Sequence, residues 1–318
     1  MARMALSRWA CPSTILVATD LSDLDRLVPS AIRDARESSA RLILLHVLDA
    51  GGSMAVDAIG MPYYDPSAAI DYAVKTLEPW RGQANHEGIV CDVLVREGNP
   101  VQQIVDSIRH FSIDRIFLGT RSRSKVSKLL LGSVAERVLR SVNLPVITVG
   151  PEAHLEVGST DAKKVVLHAT TLRETSSPSA ALAFQIAVSQ KRTLALLHVL
   201  PSVDEMVRDG LPTGLDSTAM HELRILAAEI GAMAPDCGTR VEPHVVHGNP
   251  SIEILAASVD LHASLIVLGA TYRPPLQNLT RDRTIYRVLA HARCPVLTLR
   301  DPLDVSPAED FEQLASHF

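Results

Sequence analysis

The sequence predicts an α/β chain built from two tandem doubly wound units, each a five-stranded parallel sheet with helices on both faces. Three observations carry that prediction. Hydrophobic residues make up 47% of the 318, yet aromatics only 4%, and this aliphatic bias suits strands buried on both faces under small-residue helices. Short continuous apolar runs alternate with amphipathic stretches, as in β-α-β units. Finally, the chain matches itself. Gly98-Asn99-Pro100 falls on Gly248-Asn249-Pro250, Leu118-Gly119 on Leu268-Gly269, Arg137-Val138-Leu139 on Arg287-Val288-Leu289, and Pro145-Val146 on Pro295-Val296. Leu44-Leu45-His46-Val47 matches Leu196-Leu197-His198-Val199 at a slightly longer shift. So long a period duplicates a whole domain and is not a solenoid repeat.

The elements follow in order. Residues 14–19 (TILVAT) read as the first strand. Residues 22–39 read as a helix with Ser22 as N-cap and an apolar stripe of Leu24, Val28, Ala31, Ile32 and Ala35. The second strand is 41–48 (RLILLHVL). A loop rich in Gly, Pro and Tyr leads to a helix at 67–86 and a third strand at 89–95. Asn99-Pro100 opens the next helix, because Asn caps well and Pro at the first helical position gives up an N–H that has no partner there. Residues 115–119 form the fourth strand, 133–142 a helix and 145–149 the fifth strand. The second half repeats this, with strands at 164–169, 193–199, 240–246, 264–269 and 295–300. The expected division is 1–150, 151–300 and an acidic tail at 301–318, with a linker over 151–162.

The chain has 31 basic and 36 acidic residues. Asp301, Asp304, Glu309, Asp310 and Glu312 sit in the tail, which has no Lys or Arg, so the body is neutral. Nucleic acid is therefore not an expected partner. No apolar run is long enough to span a bilayer, and Met1–Trp9 shows no apolar core of a secretory signal. The four cysteines are widely spaced, without C-x-x-C. Together these predict a cytoplasmic protein with reduced thiols and no membrane partner.

In such sheets ligands bind beyond the carboxyl ends of the strands. The loop after the fourth strand runs from Gly119 to Gly132 and carries Arg121, Arg123, Lys125 and Lys128. Ser133 and Glu136 have capping-box spacing, so the helix that follows would point its free N–H groups at the loop, a favourable place for phosphate. Gly119 and Gly132 leave the backbone open to a ligand. The equivalent histidines His46 and His198 read as satisfied core or strand-end residues, and His244 and His247 lack a nearby acidic or Cys partner at a metal-ligand spacing. No Walker A, G-x-S-x-G or H-E-x-x-H motif is present, so no catalytic constellation is expected.

The segment GTRSRSKVSKLLLGSVAERVLRSVNLPVITV, with Ala18-Thr19-Asp20, the LLHV of the second strand and Gly98-x-Pro100, resembles the universal stress protein family. The resemblance covers most of 13–150 and, more weakly, 163–300. It implies two Rossmann-like (adenine nucleotide alpha hydrolase-like) domains with strand order 3-2-1-4-5. It implies ATP, with or without magnesium, in the first domain: Asp20 on the ribose, the Val47 backbone at adenine, and Gly119, Arg121, Ser122, Gly132, Ser133 and Val134 around the ribose and phosphates. Ser122 stands where the family has its second Gly, and Lys125 where another Gly is frequent. The second domain departs further, with Tyr272 and Asp282 for two glycines, Arg283 for the Ser and Thr170 for the aspartate. It is therefore expected to bind no nucleotide.

The resemblance also implies that strands 146–149 and 296–299 pair within the chain as a pseudo-dimer, with a homodimer and an unidentified protein partner as further contacts. Two functions stay open at this point. One is an ATP-binding stress-response regulator with its site in the first domain. The other is a nucleotide-independent interaction protein with both sites degenerate. In the tail, Ser306-Pro307-Ala308-Glu309 followed by Phe311, Leu314, Ala315 and Phe318 reads as a short amphipathic helix.

Overall fold

Thr14–Thr19 forms β1, buried along its whole length as an aliphatic run between two helical layers should be. The computed structural model describes residues 2–49, 55–56, 62–63, 66–120, 131–153, 164–172, 178–212, 214–270 and 282–300. The remaining first-half elements are α1 (Ala2–Ala10), α2 (Leu24–Ser38), β2 (Arg41–Leu48), the short pair β3 (Ala55–Val56) and β4 (Pro62–Tyr63), α3 (Pro66–His86), β5 (Cys91–Glu97), α4 (Pro100–Phe111), β6 (Arg115–Gly119), α5 (Ser133–Ser141) and β7 (Val146–Val149). The second half contains β8 (Val165–Ala169), α6 (Pro178–Ser189), β9 (Thr193–Leu200), α7 (Val203–Arg208), α8 (Leu215–Gly231), β10 (Val241–His247), α9 (Pro250–Asp260), β11 (Ala263–Ala270), α10 (Asp282–His291) and β12 (Val296–Arg300).

Ten strands form one sheet in the order β10-β9-β8-β11-β12-β7-β6-β1-β2-β5. Counted within each half, this is the 3-2-1-4-5 order twice. All neighbours are parallel except β7 and β12, which pair antiparallel with Ile147 opposite Leu297. Those two residues hold equivalent places in the repeat, so a local two-fold axis passes between them. The carbonyls of Val146 and Val296 each accept the hydroxyl of the other strand's threonine, Thr298 and Thr148, at 3.3 Å.

The cores lie on the two faces of this sheet. One gathers α2, α3, α6 and α8 against Ile15, Val17, Leu42, Leu44, Val166 and Leu194. The other gathers α4, α5, α9 and α10 against Leu16, Ile43, Leu45, Ile116 and Leu167. The caps expected at Asn99 and Asn249 are formed: Asn99 accepts the N–H groups of Val101 and Gln102 and Asn249 that of Ser251, with Pro at the first helical position. Two cap readings need correction. The residue before α2 is Asp23, not Ser22, because Ser22 is drawn into a turn by Asp20, whose Oδ1 accepts its N–H at 2.9 Å and its hydroxyl at 2.5 Å. Gly132, not Ser133, caps α5, and no side-chain cap bond forms there, so the capping box is not made. The third strand begins at Cys91 and not at 89.

No element was predicted before Thr14, yet α1 forms and packs against α6 of the other half. Its end is clamped where β6 starts. Asp114 Oδ2 accepts the N–H groups of Ser13 and Thr14 at 2.8 and 3.2 Å, and its carboxylate also pairs with Arg8. Arg115, 1% exposed, donates to both oxygens of Asp34 at 2.7 and 2.6 Å and to the Trp9 carbonyl. Most of the linker and the whole of 301–318, including the tail helix read from the sequence, lie outside the described residues.

Candidate functional site

The carboxyl ends of β1, β2 and β6 and the N-terminus of α5 surround a cavity of about 190 Å³. Six residues chosen from the sequence line it: Asp20, Val47, Gly119, Gly132, Ser133 and Val134. They come from four separate elements and loops, brought together because β1 lies between β2 and β6 in register. Arg121 and Ser122, with Lys125, lie outside the described residues. The two ends of that loop do meet: Gly132 N–H donates to the Thr120 carbonyl at 3.0 Å.

Two chemistries meet in the cavity. Ala18, Leu45, Val47, Ile104, Leu118 and Ala135 give it apolar walls, fit for a flat apolar or heteroaromatic group. At the other chemistry sits the start of α5. Ser133, Val134 and Ala135 lie in its first turn, where N–H groups have no intrahelical carbonyl to bind, and all three line the cavity. With no side-chain cap, these donors and the positive end of the helix dipole favour an anion.

His46 stands near the end of β2, between the cavity residues Leu45 and Val47. It is buried, and its Nδ1 is 2.9 Å from the Thr19 carbonyl, which fixes the end of β1 against β2. His198 does the same to Thr170 at 2.9 Å. Both therefore have the satisfied strand-end role read from the sequence. The pairing also corrects the register of the repeat. Thr170 holds the place of Thr19, since Leu21 N–H bonds Thr19 Oγ1 at 2.9 Å and Leu172 N–H bonds Thr170 Oγ1 at 3.2 Å, with Leu21 and Leu172 both at positive φ. The counterpart of Asp20 is thus Thr171, one residue later than the sequence alignment put it. His247 finds its partners far away in sequence: its Nε2 meets Asp216 at 2.6 Å and its Nδ1 the Pro201 carbonyl at 3.0 Å, which together raise its pKa.

Sequence reasoning missed Asp23. This carboxyl is 6% exposed, lines the cavity and accepts the Thr19 hydroxyl at 2.8 Å. Burial pushes its pKa up to about 6, with Asp20 nearby adding to the rise and the Thr19 bond and Arg26 opposing it. An ideal Cβ on Gly119 would stand 1.5 Å from Asp23 Oδ2. The open space expected at Gly119 is therefore already held by a carboxylate. Only the spacing of Asp20 and Asp23 about a helix start hinted at it.

Fold and cleft define a class: tandem doubly wound α/β proteins with a ligand-sized cleft at the carboxyl edge of the first sheet unit. Comparison with known proteins narrows the class. The sequence model of the universal stress protein family matches residues 13–150 and again 160–300, and the chain belongs to that family. Universal stress protein MJ0531 of Methanocaldococcus jannaschii is 28% identical over 136 residues, covering 42% of this chain and 80% of that one. Universal stress protein YxiE of Bacillus subtilis is 27% identical over 144 residues, covering 42% and 97%. The crystal structure of a universal stress protein from Archaeoglobus fulgidus covers 91% of this chain and 98% of its own at 23% identity, with a TM-score of 0.64. That likeness extends the shared fold to nearly the whole molecule. Among the described residues, no helix is long and apolar enough to cross a membrane.

Proposed function

We propose that this protein is a nucleotide-binding regulator of the universal stress type, with one adenine-nucleotide site, in residues 1–150. The observation that carries this reading is the convergence of Asp20, Val47, Gly119, Gly132, Ser133 and Val134 on one cavity. Adenine takes the apolar end near Val47, the ribose lies by Asp20, and the phosphates meet the first turn of α5. Arg121 and Ser122 belong to the same site by position in the sequence. Residues 151–300 form a second domain that binds no nucleotide. There Thr171 stands for Asp20, and Asp282 follows at the place of Gly132. The two domains act as a pseudo-dimer through β7 and β12, leaving their outer faces for a protein partner or a second copy.

Titrating the protein with ATP by calorimetry, with and without magnesium, tests the reading, and one binding event per chain is expected. Gly132→Asp is the companion variant. Asp is a good N-cap, so α5 should hold while a carboxylate meets the phosphates, and ATP binding should disappear. Unchanged affinity in Gly132→Asp removes the proposed phosphate position. Absence of binding to the unaltered protein favours the nucleotide-independent interaction protein.

A further inference from the structure

We propose that Asp23 is a specificity-determining residue of the first-domain cleft: its carboxyl group, fixed by Thr19 beside Gly119, accepts a hydrogen bond from a sugar hydroxyl of the bound nucleotide. The proposal rests on the reading of the cleft as a nucleotide site and assigns the group that orients the ligand within it.

Among the described residues, the carboxyl is held by the Thr19 hydroxyl and by its own backbone N–H. Thr19 Oγ1 accepts the Leu21 N–H at 2.9 Å, which leaves its single proton for Asp23 Oδ1 at 2.8 Å. Oδ2 sits over Gly119, where any larger residue would displace it. Asp23 precedes α2, and the first-turn N–H groups of that helix could have taken the carboxylate, yet no such side-chain cap bond forms. A carboxylate this deep needs donors to offset its lost hydration, and among the described residues Thr19 is the one side chain that gives it one, beside its own backbone N–H. The group lines the cavity, so a hydroxyl brought in by a ligand supplies a further donor.

The same charge sets the direction in which the ligand lies. A phosphate passing over Gly119 would meet Asp23 and Asp20 at short range, and like charges repel most strongly in a poorly hydrated pocket. The first turn of α5 attracts what the two aspartates reject. A nucleotide therefore enters with its sugar hydroxyls toward the end of β1 and its phosphates toward Ser133 and Val134. Among the described residues, Arg26 is the one cation acting on Asp23, and its effect is smaller than that of Asp20.

The experiment compares ATP with 2′,3′-dideoxy-ATP on the full chain by calorimetry at neutral pH. The unaltered protein should bind ATP about tenfold more tightly, the scale of a hydrogen bond to a charged group. Asp23→Asn is nearly isosteric and should abolish most of that discrimination. Thr19→Val keeps the carboxyl but loosens it, and should reduce the discrimination partway, so the proposal remains testable if Asp23→Asn fails to fold. Binding with no preference for the hydroxyls in the unaltered protein overturns the proposal. So does a preference left intact in Asp23→Asn, which would place the readout on Asp20. In both of those cases nucleotide binding itself survives. Failure of the unaltered protein to bind either nucleotide overturns the cleft reading and this proposal together.

Discussion

Gly119 ends β6 without a side chain, and the Asp23 carboxylate uses the space. The two residues lie far apart in sequence and are joined by the alignment of β1 with β6, in which Ala18 pairs Leu118. An overlap of the size set by 1.5 Å is too large for a few tenths of an ångström of adjustment. Gly119→Ala must therefore push Asp23 out of its bond with Thr19. The expected cost is about 1–3 kcal/mol in urea unfolding, typical of overpacking a closed site. Asp23→Ala in the same chain removes the clash, so the double variant should recover most of the loss. A double-mutant cycle measures this coupling directly. Simple additivity of the two changes would mean that the residues do not compete for the same space.

At the scale of elements, the apolar runs and Asn-Pro caps made nearly every strand and helix legible, because each is a local signal. The cavity was legible for the same reason: its residues sit at strand ends and at a helix start. What the sequence hid depends on distance. Asp23 could not be placed in the cleft without knowing that β6 ends beside it. The one-residue shift that assigns Thr171 to the place of Asp20 shows in the matching bonds from His46 and His198 and in the matching turns at Leu21 and Leu172. Helix α1 was not predicted because its support comes from α6 and from the start of β6. That clamp gives a further prediction. Arg115 is 1% exposed at its side chain and its carboxylate partner Asp34 12%, so removing one partner leaves a charge buried alone. Asp34→Ala should cost about 3–5 kcal/mol, while Asp34→Ala with Arg115→Met should be much milder. Denaturant midpoints of the three proteins check it, and an equal loss in both variants would assign the cost to packing alone.

The two halves share a single ten-stranded sheet rather than bringing two sheets into contact. Each face carries one apolar cluster with residues from both halves, and the β7–β12 ladder joins them at the two-fold axis. The junction is reinforced beyond the ladder: Tyr286 donates to Glu136 at 3.1 Å, Arg140 donates to Glu136 and to Tyr286 at 3.0 and 3.3 Å, and Arg300 donates to the Arg140 carbonyl at 2.9 Å. On the other face Arg192 pairs with Glu37 at 2.6 Å. A continuous core of this kind should unfold as one unit, even though each half has the fold of a complete domain. The tryptophans provide the means to see it. Trp9 and Trp80 are the two in the chain, and Trp80 lies in α3 of the first half, packed against the core. In a Trp9→Phe background, fluorescence follows the first half while far-ultraviolet circular dichroism follows both. The two unfolding curves should coincide, as they must for a two-state transition. Thr298 is 2% exposed beside the axis, and Thr298→Asp would bury a carboxylate between the halves, which is costly without a partner. In that variant the curves should separate, with the halves melting in sequence. If the curves already part in the Trp9→Phe protein, the β7–β12 ladder holds the halves together without coupling their stability.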